Sequence, residues 1–264
     1  MKSWKADIYA RVTNNLKSGC DNERSIVLQE SSGPGSGAWL QFPCAPNHHF
    51  SNVEFSIISR LRMHYPIYAD HAGCGHTSQQ AACGVALDPH GLHALCCKRG
   101  GKVVQRHNHV RDILADSLSK VGIEGIQVEQ AAPDLQPSQS DDQSLRPDLD
   151  YFDCNNRRTH VDVEICTMHG SRSNSSMRPG ALIETQESVK RRKYGHLRLL
   201  PFVLSHVGRV GHSAQTLIRS VCRDPDMHIR SDQIASIYQN IACAVQHGNA
   251  SIIASAGHLL PEIR

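Results

Sequence analysis

The stretch His160-Val161-Asp162-Val163-Glu164-Ile165-Cys166 decides the fold. Val161, Val163 and Ile165 alternate with Asp162 and Glu164, the pattern of a half-buried strand. Side chains on a strand repeat every two residues, so both carboxylates share one face and the apolar residues the other. Working outward, short strands are expected at Gly125–Glu129 and Leu149–Phe152 before this one and at Leu199–Ser205 after it. Val103, His107, Val110, Leu114, Leu118 and Val121 recur at helical spacing up to Gly122, which predicts a long amphipathic helix. A second helix is expected over Ala181–Leu197, with Ile183, Glu187, Lys190 and Tyr194 on one face. The order is helix, three strands, helix, strand: an α/β fold with an αβββαβ core. Past Gly211 the pattern is helical, near Ser213–Cys222, Ser231–Gln246 and Ala250–Leu259.

Two carboxylates on one face of an apolar strand repel unless a cation or a base joins them. Asp148 follows Pro147 at the start of the Leu149–Phe152 strand, and neighbouring strands would bring it beside Asp162. The Lys190 face of the second helix would then pack over both. Each motif also has a bland reading. Pro-Asp is usually a turn, and Lys190-Arg191-Arg192-Lys193 is usually a solvated face. In this order, however, Arg146-Pro147-Asp148, Asp162, Glu164 and Glu187-x-x-Lys190-x-x-Lys193-Tyr194 supply carboxylates for a divalent cation and a lysine near the reacting centre. That is the equipment of metal-dependent phosphodiester cleavage, with Mg²⁺ or Mn²⁺ on Asp148 and Asp162. Asp148, Asp162, Glu164, Glu187, Lys190 and Tyr194 are the candidate catalytic residues.

With 264 residues, 39% of them hydrophobic, the chain can build a real core. No stretch approaches the ~20 apolar residues of a membrane span, and Met1–Arg11 lacks the apolar centre of a signal peptide. The 10 cysteines are therefore read as thiols or metal ligands in a reducing, intracellular compartment. The net charge of +3 is unevenly spread. Arg99, Lys102, Arg106 and Arg111 cluster before and within the first long helix, and Lys190 to Lys193 is an unbroken basic run. Basic clusters flanking an acidic site suit a phosphate backbone. DNA, or RNA, is the expected partner, and the nucleus the expected location.

Residues 71–99 hold the densest cysteine and histidine cluster. Cys74, Cys83, His93 and Cys97 are ligand types that zinc takes tetrahedrally, and one helical turn can present both His93 and Cys97. His76, His90 and Cys96 are rival ligands. The alternative is that buried cysteines serve as small hydrophobes. Four protein ligands leave no open position, so such a zinc is structural. Next comes Arg106-His107-Asn108-His109, where Arg106 and Asn108 are candidate phosphate contacts. His107 either sits close to the metal site or is a satisfied core histidine. His107, Arg146, Arg191, Arg192 and Lys193 complete the candidate DNA-binding set.

The expected organisation is a polar leader and flexible linker (1–37), a helical unit (38–70), the zinc knuckle (71–99), the αβββαβ core (100–210) and a helical extension (211–264). The runs Pro133–Ser144 and His169–Gly180 are expected to be exposed loops.

Taken together, the Cys/Cys/His/Cys knuckle, Arg106-His107-Asn108, Arg146-Pro147-Asp148, Asp162 on its strand, and Lys190 with Tyr194 resemble the restriction-like endonuclease region of site-specific non-LTR retrotransposons. That region is a member of the PD-(D/E)xK nuclease superfamily. Ala38-Trp39-Leu40 and Arg60-Leu61-Arg62 are similar to the stretch that joins reverse transcriptase to this endonuclease. The likeness covers roughly residues 38–210 and rests on the ordered set, not on any one motif. It implies a restriction-endonuclease-like core, divalent-metal cleavage of a DNA strand, metal ligation by Asp148 and Asp162, catalysis by Lys190, and a reverse transcriptase in the same or another chain. The superfamily usually sets its lysine two positions after the strand carboxylate. Glu164 stands there in this chain. A non-catalytic zinc-dependent nucleic-acid-binding module and a host-adopted repair or junction-resolving nuclease are the competing expectations.

Overall fold

In a computed structural model, which describes residues 22–43, 45–69, 72–78, 81–129, 146–153, 156–168, 178–195, 198–222 and 230–263, the alternating stretch lies inside a four-stranded sheet. In chain order the described residues form α1 (Asn22–Glu30), α2 (Asn52–Met63), a hairpin of β1 (Thr77–Ser78) and β2 (Ala81–Ala82), α3 (Leu92–Cys96), α4 (Lys102–Lys120), β3 (Gln127–Val128), β4 (Leu149–Phe152), β5 (Arg158–Cys166), α5 (Ala181–Tyr194), β6 (Leu199–Ser205), α6 (His212–Val221) and α7 (Ser231–Ala256). The protein is mixed α/β, with its strands in order β3-β4-β5-β6. The first three strands pair antiparallel, whereas β5 and β6 run parallel with α5 as their crossover.

One face of the sheet is apolar. Val161 pairs with Leu200, Val163 with Phe202 and Ile165 with Leu204. This layer joins Val110, Leu114 and Leu118 of α4, Leu217 and Ile218 of α6, and Ile237 and Ile241 of α7 in one core. The second core gathers Trp39, Ile57, Leu61, Tyr68, Leu92 and Leu95 around Ala250, Ile252 and Ile253 of α7. Helix α7 therefore serves both. Its 26 residues extend about 39 Å at ~1.5 Å per residue.

Several expectations need correction. The pattern predicts two helices parted near Gly248, but α7 is continuous. Gly248 is the place where α4 crosses: a Cβ there would meet Arg106 Cγ at 2.4 Å. The serine- and glycine-rich end of the leader is not loose. Ser31 and Ser36 are buried, the Ser36 hydroxyl donates to Ser31 O at 2.6 Å, and Val210 N–H donates to Pro34 O. At Gly35, which has φ +78°, a side chain would strike Val210 and Tyr238, so glycine serves close packing there. Helix α5 stops at Tyr194, where the Gly195 N–H closes onto Arg191 O. The first strand of the sheet shrinks to two residues because β4 offers partners only for Gln127 and Val128. Residues 1–21, the run Pro133–Ser144 and most of His169–Gly180 lie outside the described residues.

Candidate functional site

The other face of the sheet carries the polar residues of its central pair. Leu149 pairs with Val161 and Asp150 with His160, so the antiparallel register brings Asp148 opposite Asp162. The Val163 N–H donates to Asp148 Oδ2 at 2.6 Å, which fixes the carboxylate at the strand edge. Asp162 is 5% exposed. Burial, opposed by Lys190 and reinforced by Asp148, pushes its carboxyl up to about 6. Burial also acts on Asp148, but the hydrogen bond and charge of His107 outweigh it and hold this carboxyl below its ordinary value. The pair is thus split, one carboxyl easily protonated and the other held ionised.

Helix α5 lays Lys190 over this face. Its Nζ lies 3.0 Å from Asp162 Oδ2 and 3.2 Å from Glu164 Oε2. Burial works against the charge, yet the two carboxylates prevail and raise the ammonium's pKa. Lys190 is therefore a cation here and not a base. The contact to Asp162 has ion-pair distance without hydrogen-bond geometry, so Oδ2 is buried and lacks a hydrogen-bond donor. The charge of that oxygen is met by the Lys190 ammonium at 3.0 Å. Tyr194 is buried on the same helix face and donates from its hydroxyl to Arg146 O at 3.2 Å. Burial, then the nearby Asp162, pushes its phenol well above the ordinary range.

Glu187 shares that face but reaches elsewhere. Its Oε1 accepts the Ser213 N–H at 3.0 Å. Ser213 is the second residue of α6, whose N-cap is Gly211, a residue with no side chain to supply a cap. Glu187 is thus a tertiary helix cap, and its expected catalytic place is corrected.

Among the candidate nucleic-acid contacts, Arg106 is also corrected. It is 3% exposed, and its guanidinium donates to Asn249 Oδ1 at 2.7 Å and Leu95 O at 3.3 Å. Arg111 is buried too, paired with Asp112 and Glu129. Of that basic cluster only Arg99 and Lys102 reach solvent. Arg146, Arg192 and Lys193 are exposed, the last lying over the Tyr194 ring. Arg191 is exposed but leans on Ser213 Oγ and Glu187. Asn108 is half-buried against His107. His107 Nε2 lies 3.3 Å from Asp148 Oδ2 and 3.1 Å from Val163 O. Its hydrogen bond to the Asp148 carboxylate, offset in part by burial, raises its pKa to about 9.

Sequence reasoning missed Asp150 and His160, although the same alternation places them on the carboxylate face. His160 Nδ1 stands 2.6 Å from Asp150 Oδ1, and Arg158 Nη2 is 2.7 Å from Asp150 Oδ2. Reading the strand's period back by one step from Asp162 would have found His160.

The second cluster is built from the residues that flank the hairpin and from α3. Asp88 accepts the backbone N–H groups of His90, Leu92 and His93, which pins the short helix that carries His93. The ligand atoms of Cys74, Cys83, His93 and Cys97 all lie within 4.8 Å of one another. Cys74 Sγ is 3.9 Å from Cys97 Sγ, and Cys83 Sγ is 3.6 Å from His93 Nε2. A tetrahedral zinc at ordinary bond lengths spaces two sulfurs by about 3.8 Å and a sulfur and nitrogen by about 3.6 Å. The Cys₃His group could hold a zinc ion. The rivals fall away: Cys96 is exposed, His76 bonds Ile252 O and Ser255, and His90 stacks on His64. Burial, with the Cys97 thiol alongside, pushes the Cys74 thiol up to about 11, whereas the Val85 N–H draws Cys83 down.

No protein-family model matches the chain, and a search of curated proteins finds no match. No helix among the described residues is long and apolar enough to cross a membrane.

Proposed function

We propose that the protein is a divalent-metal-dependent DNA endonuclease of the PD-(D/E)xK kind, resembling the endonuclease of non-LTR retrotransposons. One observation carries the reading: Asp148 and Asp162 stand opposite each other while Lys190 reaches Asp162 and Glu164 from a neighbouring helix. The lysine that the superfamily takes from the strand is here delivered in space by α5, which accounts for Glu164 at the usual lysine position. Asp148 and Asp162 would hold Mg²⁺ or Mn²⁺, with Glu164 beside them. The cation, when bound, supplies charge stabilisation and an acidified water. Lys190 contributes a fixed positive charge for the phosphate. Arg146, Arg192 and Lys193 hold the backbone from the exposed side. The Cys₃His zinc is structural, the partner is DNA, with RNA and a reverse transcriptase as further candidates, and the nucleus is the proposed location.

The test is a cleavage assay on branched and linear DNA with Mg²⁺ or Mn²⁺. Cleavage that vanishes in Asp148→Ala supports the reading. Binding without cleavage under every divalent cation would make the protein a zinc-dependent nucleic-acid-binding module.

A further inference from the structure

We infer that His107 is a positioning residue for the divalent-cation site, holding Asp148 in place, and is not a DNA contact. The inference rests on the nuclease reading above. Val163 O and Asp148 Oδ2 are both acceptors, so His107 Nε2, at 3.1 and 3.3 Å from them, carries the hydrogen. The Val163 N–H enters the same Asp148 Oδ2 at 2.6 Å. One peptide unit of β5 and one imidazole of α4 thus close a clamp on a single carboxylate oxygen, Asp148 Oδ2. Val163 adjoins Asp162 on the strand, so the clamp sets one carboxylate against the other. On the far side of the ring, Nδ1 lies 3.2 Å from Asn108 Oδ1, which holds the imidazole's rotation. Both ring nitrogens are engaged within the protein, which leaves neither to read a phosphate or a base.

Ligating carboxylates depend on such outer partners, and losing one costs about 10- to 100-fold in metal affinity. The measurement is Mn²⁺ binding by calorimetry on zinc-loaded protein without DNA, beside DNA affinity without added Mn²⁺. Asp162→Asn marks the carboxylate site. His107→Ala should weaken Mn²⁺ binding by about 10-fold or more, and His107→Gln, whose amide can still donate, should recover most of it. Asn108→Ala, a change at a half-buried surface position, should weaken it by about threefold and carries the test if His107→Ala does not fold. DNA affinity should hold in all three. Mn²⁺ binding that is lost in Asp162→Asn yet intact in His107→Ala and Asn108→Ala overturns the positioning role alone. Mn²⁺ binding that survives Asp162→Asn overturns the nuclease reading with it. Weakened DNA binding with unchanged Mn²⁺ affinity would make His107 the DNA contact.

Discussion

Arg106 crosses α7 directly over Gly248, so closely that a Cβ on that glycine would stand 2.4 Å from Arg106 Cγ and 2.9 Å from its Cβ. The arginine cannot retreat. Its guanidinium is tied to Asn249 and Leu95, and Asn249 in turn donates to His206 O at 2.6 Å. Helix propensity alone would favour Gly248→Ala by up to about 1 kcal/mol. Overpacking against a buried, tethered side chain costs about 1–3 kcal/mol. The variant should therefore be less stable than the parent in a denaturant titration. A gain in stability would mean that the crossing has slack.

This crossing also shows where sequence reading stops. Gly248 in an otherwise helical pattern reads as a break, because the usual meaning of glycine is conformational and the close neighbour lies far away in sequence. Arg106 reads as a surface cation for the same reason: nothing local discloses Asn249. What was legible was local and periodic. The alternation at Val161–Ile165 placed Asp162 and Glu164 on one face, and the four-three-four step put Lys190 and Tyr194 above them. Glu187 obeyed the same helical step, but its carboxylate was claimed by the N-terminus of α6, a tertiary partner that periodicity cannot foresee.

The capping role of Glu187 separates stability from chemistry. Glu187→Ala removes the acceptor for the Ser213 N–H and leaves α6 with an uncapped start. The expected loss is about 1–2 kcal/mol of folding stability. Turnover per folded molecule, measured well below the melting temperature, should stay near the parent's. A large fall in that turnover with unchanged stability would return Glu187 to the catalytic set.

Asp162 gives a pH signature in the metal-free carboxylate site. Burial pushes its carboxyl from the ordinary 3.8 up to about 6, so the folded form binds the proton more tightly than the unfolded one. Stability from this group is present at low pH and is lost as pH rises from about 4 through 6. Asp162→Asn should then be more stable than the parent at pH 7 without divalent cations, and the difference should close near pH 4. Added Mn²⁺ should reverse the order, because only the parent gains a ligand-bound state. Chemical denaturation at the two pH values reads this directly. An asparagine variant less stable at pH 7 would show that the Lys190 ion pair outweighs the burial of the charge.

Lys190 and Arg192 lie near each other on α5 but face different surroundings, one over the carboxylates and one in solvent. Lys190→Ala should lower cleavage on the order of 10²-fold or more, with little change in DNA affinity. Arg192→Ala should instead weaken binding and reduce its salt slope by about one. Parent-like cleavage in Lys190→Ala, with weaker binding, would reduce the lysine to a phosphate contact.

Zinc removal should reach further than the segment that carries the ligands. Cys74 and Cys97 belong to the same core as Ile252 and Ile253, Gly75 N–H donates to Ala256 O at 2.7 Å, and His76 bonds Ile252 O at 3.1 Å. The Cys₃His unit is therefore built onto the last turns of α7. A structural zinc contributes roughly 10 kcal/mol or more in small units that cannot fold by burial alone; here the shared core bears part of the load. We expect one tightly held zinc per chain by elemental analysis. Chelation should lower the melting temperature and speed hydrogen exchange both in residues 72–98 and in residues 249–256, while β4, β5 and β6 stay protected. Cys74→Ser and His93→Ala should do the same. Cys96→Ser, at an exposed position, should leave zinc content and melting unchanged. Cys243→Ser should keep its zinc but lose stability, because it sets a hydroxyl in a core site that is 1% exposed. A metal-free chain whose melting curve ignores chelators would show that the four residues are ordinary core and surface side chains.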